Sequence, residues 1–359
     1  MTETDAPDEP AAAPSLTLPP TTVLDPATAP GLRWGVISPG HIAGQFTATA
    51  HRATASRVVS VVSRSAQRAE EFAQEHGIER AFDSVEEMLA AGGLDAVYIA
   101  SPHAQHHALT RPVLDAGIPV LVEKAFTLNV GQAHDLLDLA RERGVFAMEA
   151  MWARFLPQYD VLRQVIASGL LGEIVEVTAD HGQSFPADPA HRMFAPELGG
   201  GALLDLGVYP VSFAQMVLGD LSDLAVRGHL AEETAVDAYV ALLAQGRRSG
   251  RARLSATLLS RTPTEAVVSG TAGSARLSGP FFAPGTLTVS LHDGRTATFD
   301  HPGARGDGMA YEIAEAARRI TAGELESPLM SWGDTLSVMS TMDAMRAELG
   351  VVYPGEVTA

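Results

Sequence analysis

The sequence predicts an α/β chain: an N-terminal, doubly wound parallel sheet followed by a C-terminal α+β domain with a large, mostly antiparallel sheet. Three observations carry this. Between residues 32 and 150, short apolar runs alternate with helical patterns, a rhythm that builds parallel strands joined by crossover helices. From Leu224 to His301, short β segments follow one another with turn signals between them, the mark of antiparallel pairing. The turn Ser38-Pro39-Gly40 joins the first strand to the first helix, and sheets of this kind bind ligands outside the carboxyl ends of their strands.

Residues 1–30 are rich in Pro, Ala, Thr and acids and lack the basic start and apolar core of a signal peptide. They read as a disordered or extended arm. Leu16–Pro30 mixes Leu and Val with Pro, which suits a path along a folded surface. Leu32–Ser38 is the first strand, His41–His51 the first helix, Arg57–Ser63 the second strand and Ala66–His76 the second helix. Ala81-Phe82 is a short third strand, and Ser84 with Glu87 reads as a capping box. Asp95–Ala100, Pro119–Val122 and Val145–Met148 complete the sheet, with helices at Gln105–Ala116 and Asn129–Arg143. Beyond lie a helix at Phe155–Ser168, a strand at Ile174–His181 and a long loop at Gly182–Glu197. A helix follows at Gly199–Leu218, approached through three glycines. Strands at Asp237–Leu243, Arg251–Arg261, Glu265–Ser269, Ala275–Leu277, Thr286–Leu291 and Arg295–Phe299 make the second sheet, closed by helices at Gly308–Thr321 and Ser331–Leu349.

The 359 residues suffice for about two domains with full cores. A formal net charge of −18 argues against a nucleic-acid partner, which needs a basic face, and against an anionic membrane surface. No apolar run reads as a transmembrane helix. With no cysteine there is neither a disulfide framework nor thiolate chemistry, which fits a cytoplasmic protein, and no local ligand set suggests a metal.

Five clusters carry chemistry. GVISPGHIA (35–43) follows a strand and opens a helix. Gly40 lets the backbone approach a pyrophosphate, and the N–H groups at the helix start, around His41 and Ile42, are free to receive it. Ser38 and Ala43 stand where the dinucleotide fingerprint has its first and third glycines. At the end of the second strand, Ser63-Arg64-Ser65 offers no carboxylate for a ribose 2′-OH, and Arg64 with the hydroxyls suits a 2′-phosphate. NADP is therefore expected over NAD. Ser101, His103 and His106 sit on the fourth strand's exit, where a nicotinamide ribose would lie; an N-cap with solvent-facing histidines is the plain alternative. Val120–Thr127 runs an apolar strand into Glu123-Lys124, at the same strand-end edge, where both residues are expected to meet the cofactor. A lysine there is costly to desolvate and needs a partner or a task; pairing with Glu123 is the plain alternative. Asp205 and Tyr209, four apart on a helix, share a face. Asp, Tyr and Lys together suit proton transfer at an alcohol or carbonyl, with Lys124 polarising the oxygen and Tyr209 giving or taking the proton; a tyrosine sealing a domain interface would show the same spacing.

The phosphate turn at 38–43 and the Glu123-Lys124 pair, with MEAMWARF (148–155), GGGALLDLGVY (199–209) and DAMR (343–346), resemble the Gfo/Idh/MocA oxidoreductases over about residues 32–355. Within that family the chain is similar to the dimeric dihydrodiol dehydrogenase and NADP-dependent aldose dehydrogenase branch. The resemblance implies a dinucleotide-binding (Rossmann) domain at 31–150 and a substrate-binding and oligomerisation domain at 151–359, with a helix returning toward the first. It implies a homodimer or higher oligomer through the C-terminal sheet, a nicotinamide cofactor with NADP in this branch, Lys124 at the reacting oxygen, Tyr209 as acid/base and Asp205 nearby. Carbohydrate-oxidising relatives have N-terminal arms that fold over the cofactor, a role open to Leu16–Pro30. One departure stands out: the proline that follows the family's lysine is Ala125 here, which does not fix the turn as proline would.

The resulting expectation is an NADP-dependent oxidoreductase that moves a hydride between nicotinamide and a small sugar, polyol or vicinal diol. Its cleft is lined by Lys124, Trp152, Phe185, Arg192 and Tyr209. Two rivals are a glycoside-cleaving enzyme that retains its cofactor, which nothing in the sequence favours, and a non-catalytic NADP-sensing protein, against which the Lys124, Asp205 and Tyr209 set speaks.

Overall fold

The computed structural model describes residues 15–301, 303 and 305–356; residues 1–14 of the expected arm lie outside them. The first half builds one parallel sheet from β1 (Arg33–Ile37), β2 (Arg57–Val62), β3 (Arg80–Phe82), β4 (Ala96–Ile99), β5 (Val120–Glu123) and β6 (Ala147–Ala150), in the order β3-β2-β1-β4-β5-β6. Every residue of β4, β5 and β6 is buried, as expected for a sheet covered on both faces. The helices between the strands are α1 (His41–Ala53), α2 (Ala66–His76), α3 (Val85–Ala91), α4 (His103–Asp115) and α5 (Val130–Arg143). Their starts are chemical. Ser65, Ser84 and Asn129 each accept a hydrogen bond from the backbone N–H three residues on, satisfying an amide that the helix itself cannot. α4 begins two residues earlier than its pattern suggested, so His103 is its first residue.

The second half begins with α6 (Pro157–Ala167), β7 (Ile174–Gly182) and α7 (Val208–Leu218). An eight-stranded sheet follows, in which β7 is joined by β8 (Leu221–Leu230), β9 (Asp237–Gly246), β10 (Arg251–Thr257), β11 (Ala266–Gly270), β12 (Gly273–Leu277), β13 (Thr286–Leu291) and β14 (Thr296–Asp300), in the order β14-β13-β12-β11-β7-β10-β9-β8. β10 pairs with β7 in parallel and the remaining pairs are antiparallel. α6, α7 and a final helix α9 (Trp332–Leu349), which follows α8 (Met309–Thr321), pack against the strands. The strands alternate accordingly: Ala238, Val240 and Leu242 of β9 are buried, while Tyr239 and Leu243 are exposed on the other face.

α8 packs on α1, and α9 packs on α5, so the last helices of the chain close over the first sheet. The arm's described residues run along the same surfaces. Thr21 Oγ1 and the Thr22 amide donate to Asp160 of α6 at 3.0 and 2.6 Å, Gln164 donates to Pro20 O at 3.0 Å, and Arg318 of α8 donates to Asp25 O at 2.9 Å. These contacts strap α6 to α8. One stretch, 196–218, is long and apolar enough to cross a membrane by composition, contrary to the expectation from the sequence, but 94% of its most apolar window is buried inside the fold.

Candidate active site

The carboxyl edge of the parallel sheet gathers the predicted residues. At the end of β1, Ser38 adopts a left-handed φ of 76° and its amide donates to Val62 O at 3.0 Å. α1 then starts at Gly40 with no side chain capping it, and a Cβ placed on Gly40 would meet no atom within 4 Å. Open space over an uncapped helix N-terminus is what a pyrophosphate needs. Ser63 is half-buried and Arg64 exposed at the end of β2, one strand over, where the adenosine end of a dinucleotide lies in such sheets. His41 is exposed and its Nε2 meets Gln45 Nε2 at 3.0 Å; Ile42 packs partly on the core. These residues fit a dinucleotide.

Two expected cofactor contacts are differently employed. Glu123 is buried, accepts hydrogen bonds from the Tyr98 hydroxyl and the Lys124 amide, and burial raises its pKa. The ring of His106 is fully enclosed, with Nε2 2.8 Å from Ser101 O and Nδ1 2.9 Å from Ala125 O. Both groups hold backbone in place, because their polar atoms are taken by protein partners. Ser101 is buried beside them, and its hydroxyl finds no protein partner among the described residues.

Lys124 leaves the end of β5 and does not pair with Glu123. Its Nζ donates to the backbone oxygen of Asp205 at 2.8 Å and to Asp205 Oδ1 at 3.1 Å, and lies 5.1 Å from the centre of the Tyr209 ring. Both partners are nearly enclosed, with side-chain exposures of 14% and 13%. Arg192 Nη2 approaches Asp205 Oδ2 at 3.4 Å and His103 Nε2 lies 3.9 Å from Oδ1. Burial alone would raise the Asp205 pKa, but Lys124, then Arg192 and His103, hold it well below the carboxylate range. Burial pushes the His103 pKa down to about 3 against the pull of Asp205. The ring is therefore neutral near pH 7, with Nδ1 2.9 Å from Gly199 O.

The helix that carries Asp205 and Tyr209 is not regular. Gly199–Gly201 form a loop, and Leu203–Gly207 make a wide π-turn closed by a hydrogen bond from Val208 N to Leu203 O. Pro210 follows the turn. It has no N–H, so Leu206 O, four residues before it, loses its α-helical donor, and Asp205 O lies within the π-turn itself. Those two oxygens are met by His181 Nδ1 at 3.2 Å and by Lys124 Nζ at 2.8 Å. The lysine is thus tied to a backbone carbonyl of the irregular turn as well as to the Asp205 carboxylate. At the other end, buried Asp237 accepts from the Leu203 amide at 2.6 Å. Burial pushes its pKa up to about 7, opposed by that hydrogen bond.

An aromatic wall completes the cleft. Tyr209 stacks on Phe282 with ring centroids 4.3 Å apart. Trp152 lies nearly parallel to Phe282 at 6.5 Å, and His181 packs on it at 4.6 Å. Phe185 sits further out, against His191, and Arg192 is exposed at the rim. Phe282 and His181 were not legible as site residues, since neither lies in a motif. A stronger signal was missed: Lys124 is the only lysine among 25 Lys and Arg residues. Every other cation is an arginine, so the ammonium, a compact three-donor charge, is reserved for this one place.

An open phosphate turn, a strand-end lysine and a tyrosine on the facing helix define a nicotinamide-dependent oxidoreductase of two domains. Residues 32–151 match the family model for an oxidoreductase family with an NAD-binding Rossmann fold, and 159–276 match the GFO/IDH/MocA C-terminal domain; the chain belongs to the Gfo/Idh/MocA family. It is 34% identical to the human trans-1,2-dihydrobenzene-1,2-diol dehydrogenase, covering 90% of this chain and 98% of the relative. The Xenopus tropicalis enzyme of the same name is 32% identical, covering 90% and 99%. Among solved structures, a 3-ketoreductase from Actinomadura kijaniata in complex with NADP and TDP-benzene superposes with a TM-score of 0.78 at 27% identity, covering 89% of this chain and 98% of that one.

Proposed function

We propose that the protein is an NADP-dependent dehydrogenase that oxidises a carbinol of a small vicinal diol, polyol or sugar, or reduces the corresponding carbonyl. The observation that carries this is the chain's one lysine side chain, its ammonium held by Asp205 beside the Tyr209 ring at the carboxyl edge of a dinucleotide-binding sheet. A bound nicotinamide supplies the hydride acceptor or donor. The protein's residues do the rest. Lys124 presents positive charge to the reacting oxygen, and Tyr209 takes or returns its proton. Asp205 balances the ammonium and fixes its direction. Trp152 and Phe282 give a flat apolar wall for a ring, and the buried Trp152 Nε1, without a protein partner among the described residues, is a donor for a substrate hydroxyl. Relatives named as dihydrodiol dehydrogenases and a 3-ketoreductase support this substrate class.

Ser38, Gly40 and the start of α1 hold the pyrophosphate, and Ser63 with Arg64 holds a 2′-phosphate. Arg64→Ala should raise KM for NADP⁺ by about 10- to 100-fold, the loss of one charge-assisted pair of about 1.5–3 kcal/mol, and leave KM for NAD⁺ unchanged. Steady-state kinetics with both cofactors checks this, and equal effects would contradict it. The open face of the second sheet, bearing Tyr239 and Leu243, is the proposed surface for a homodimer.

Incubation with NADP⁺ and a panel of trans-diols and aldoses, read by NADPH absorbance, tests the function. Stoichiometric NADPH formation is expected. Product formed from a glycoside with no net NADPH would instead support the cofactor-retaining hydrolase.

A further inference from the structure

We propose that Glu149 is a positioning residue for Lys124, fixing from the next strand the turn that a proline at position 125 would otherwise stiffen. The chain leaves β5 through Lys124, Ala125 and Phe126, the last two fully buried. Glu149 lies on β6, level with Val122 in the parallel ladder. Its Oε1 accepts the Phe126 amide at 3.1 Å, and its Oε2 accepts the Thr335 hydroxyl of α9 at 3.2 Å. From the other side the His106 ring meets the oxygens of Ala125 and Phe126 at 2.9 and 3.2 Å. The turn amide is thus held by Glu149, and in the tautomer with the proton on Nδ1 the His106 ring donates to its carbonyls. Alanine contributes no constraint of its own, whereas proline would fix φ and needs no N–H donor.

Glu149 is 1% exposed, and a carboxyl is costly to bury without partners. Its carboxylate accepts from the turn amide and from Thr335, and the charges of Arg154 and Glu123 act on it in opposite directions. Neither of these hydrogen bonds reaches Asp205 or Tyr209. Its influence therefore reaches the chemistry through the backbone that carries Lys124, two residues away from the amide it holds.

The inference rests on Lys124 being the residue that meets the reacting oxygen, so its test needs a readout that does not depend on turnover. The lone lysine provides one: labelling with ¹⁵N-lysine gives a single side-chain nitrogen signal, that of Lys124. Three variants are compared with wild type: Glu149→Gln, which keeps an oxygen for the Phe126 amide; Glu149→Ala; and Glu149→Ala combined with Ala125→Pro. In Glu149→Ala the ammonium signal should shift and kcat should fall by about 100-fold, the scale of a small misplacement of a reacting group, with the dissociation constant of NADPH unchanged. Glu149→Gln should resemble wild type. Ala125→Pro should return both the signal and kcat toward wild type in the Glu149→Ala background. An unmoved signal in Glu149→Ala, or a moved signal that Ala125→Pro leaves unrestored, would overturn the proposal. A moved and restored signal in a protein without turnover on any diol or sugar would support the positioning role and count against the functional reading instead. Should Glu149→Ala fail to fold, Glu149→Gln decides by the same spectrum together with its melting temperature. A stable Glu149→Gln with the wild-type signal supports the proposal, and a displaced signal contradicts it.

Discussion

Lys124→Met is expected to lower kcat roughly a thousandfold, the combined scale of losing one preorganised cation at the developing oxyanion and a well-placed proton-transfer partner. Methionine keeps the unbranched stem and removes only the charge and its three donors. The loss should fall on kcat, with NADPH affinity unchanged, because the phosphate turn at Ser38–Gly40 and Arg64 lie on other strands. The substitution also strands Asp205, whose carboxylate is 13% exposed and keeps only Arg192 at 3.4 Å as a close cation. Removing one member of a buried pair costs about 3–5 kcal/mol, and the remaining arginine places this case at the low end. The double variant Lys124→Met/Asp205→Asn separates the effects. It should recover melting temperature without recovering turnover, and turnover by either variant close to the wild-type rate would remove the lysine from the chemistry.

Gly201→Ala is expected to destabilise the protein by about 3 kcal/mol or more and to lower kcat in whatever remains folded. Gly201 has φ of 119°, a region essentially reserved for glycine, which costs about 1–3 kcal/mol for other residues. A methyl group there would also stand 2.3 Å from Asp237 Oδ1. Asp237 cannot yield, since its other oxygen holds the Leu203 amide at 2.6 Å at the start of the π-turn that bears Asp205. Gly40→Ala is the matching control. Gly40 has φ of −108° and open space where a Cβ would lie, so alanine there should leave the melting temperature unchanged and raise KM for the cofactor. Calorimetry and cofactor kinetics on the two variants check both halves; a melting temperature for Gly201→Ala equal to wild type would contradict the first.

Much of the architecture is legible in the sequence because it is written in periodicity. The alternation of β-branched runs with amphipathic stretches predicts each parallel strand within a few residues, and Ser65, Ser84 and Asn129 mark helix starts that the structure also uses. The Lys124, Asp205 and Tyr209 grouping was readable because strand ends converge and because residues four apart share a helix face. What stayed hidden depends on contacts between distant elements. Glu123 and His106 look like cleft residues by their positions, and only packing against Tyr98 and the Ala125–Phe126 turn shows that they face protein. Phe282 comes from a loop between β12 and β13 with no motif, and it reaches Tyr209 only through the fold of the second sheet. Pro210 was the readable clue to an irregular helix start, since it has no N–H for Leu206 O, the carbonyl that His181 meets. The lone lysine was the readable clue to the site as a whole.

The most direct test of the central claim is isotopic. A trans-vicinal diol deuterated at its carbinol carbons is incubated with the protein and NADP⁺, and the NADPH formed is analysed by mass spectrometry and NMR. Transfer of one deuterium to C4 of the nicotinamide, on one face only, with Lys124→Met forming the labelled product roughly a thousandfold more slowly, is the predicted result. Unlabelled NADPH, or product formed without NADPH, would contradict it.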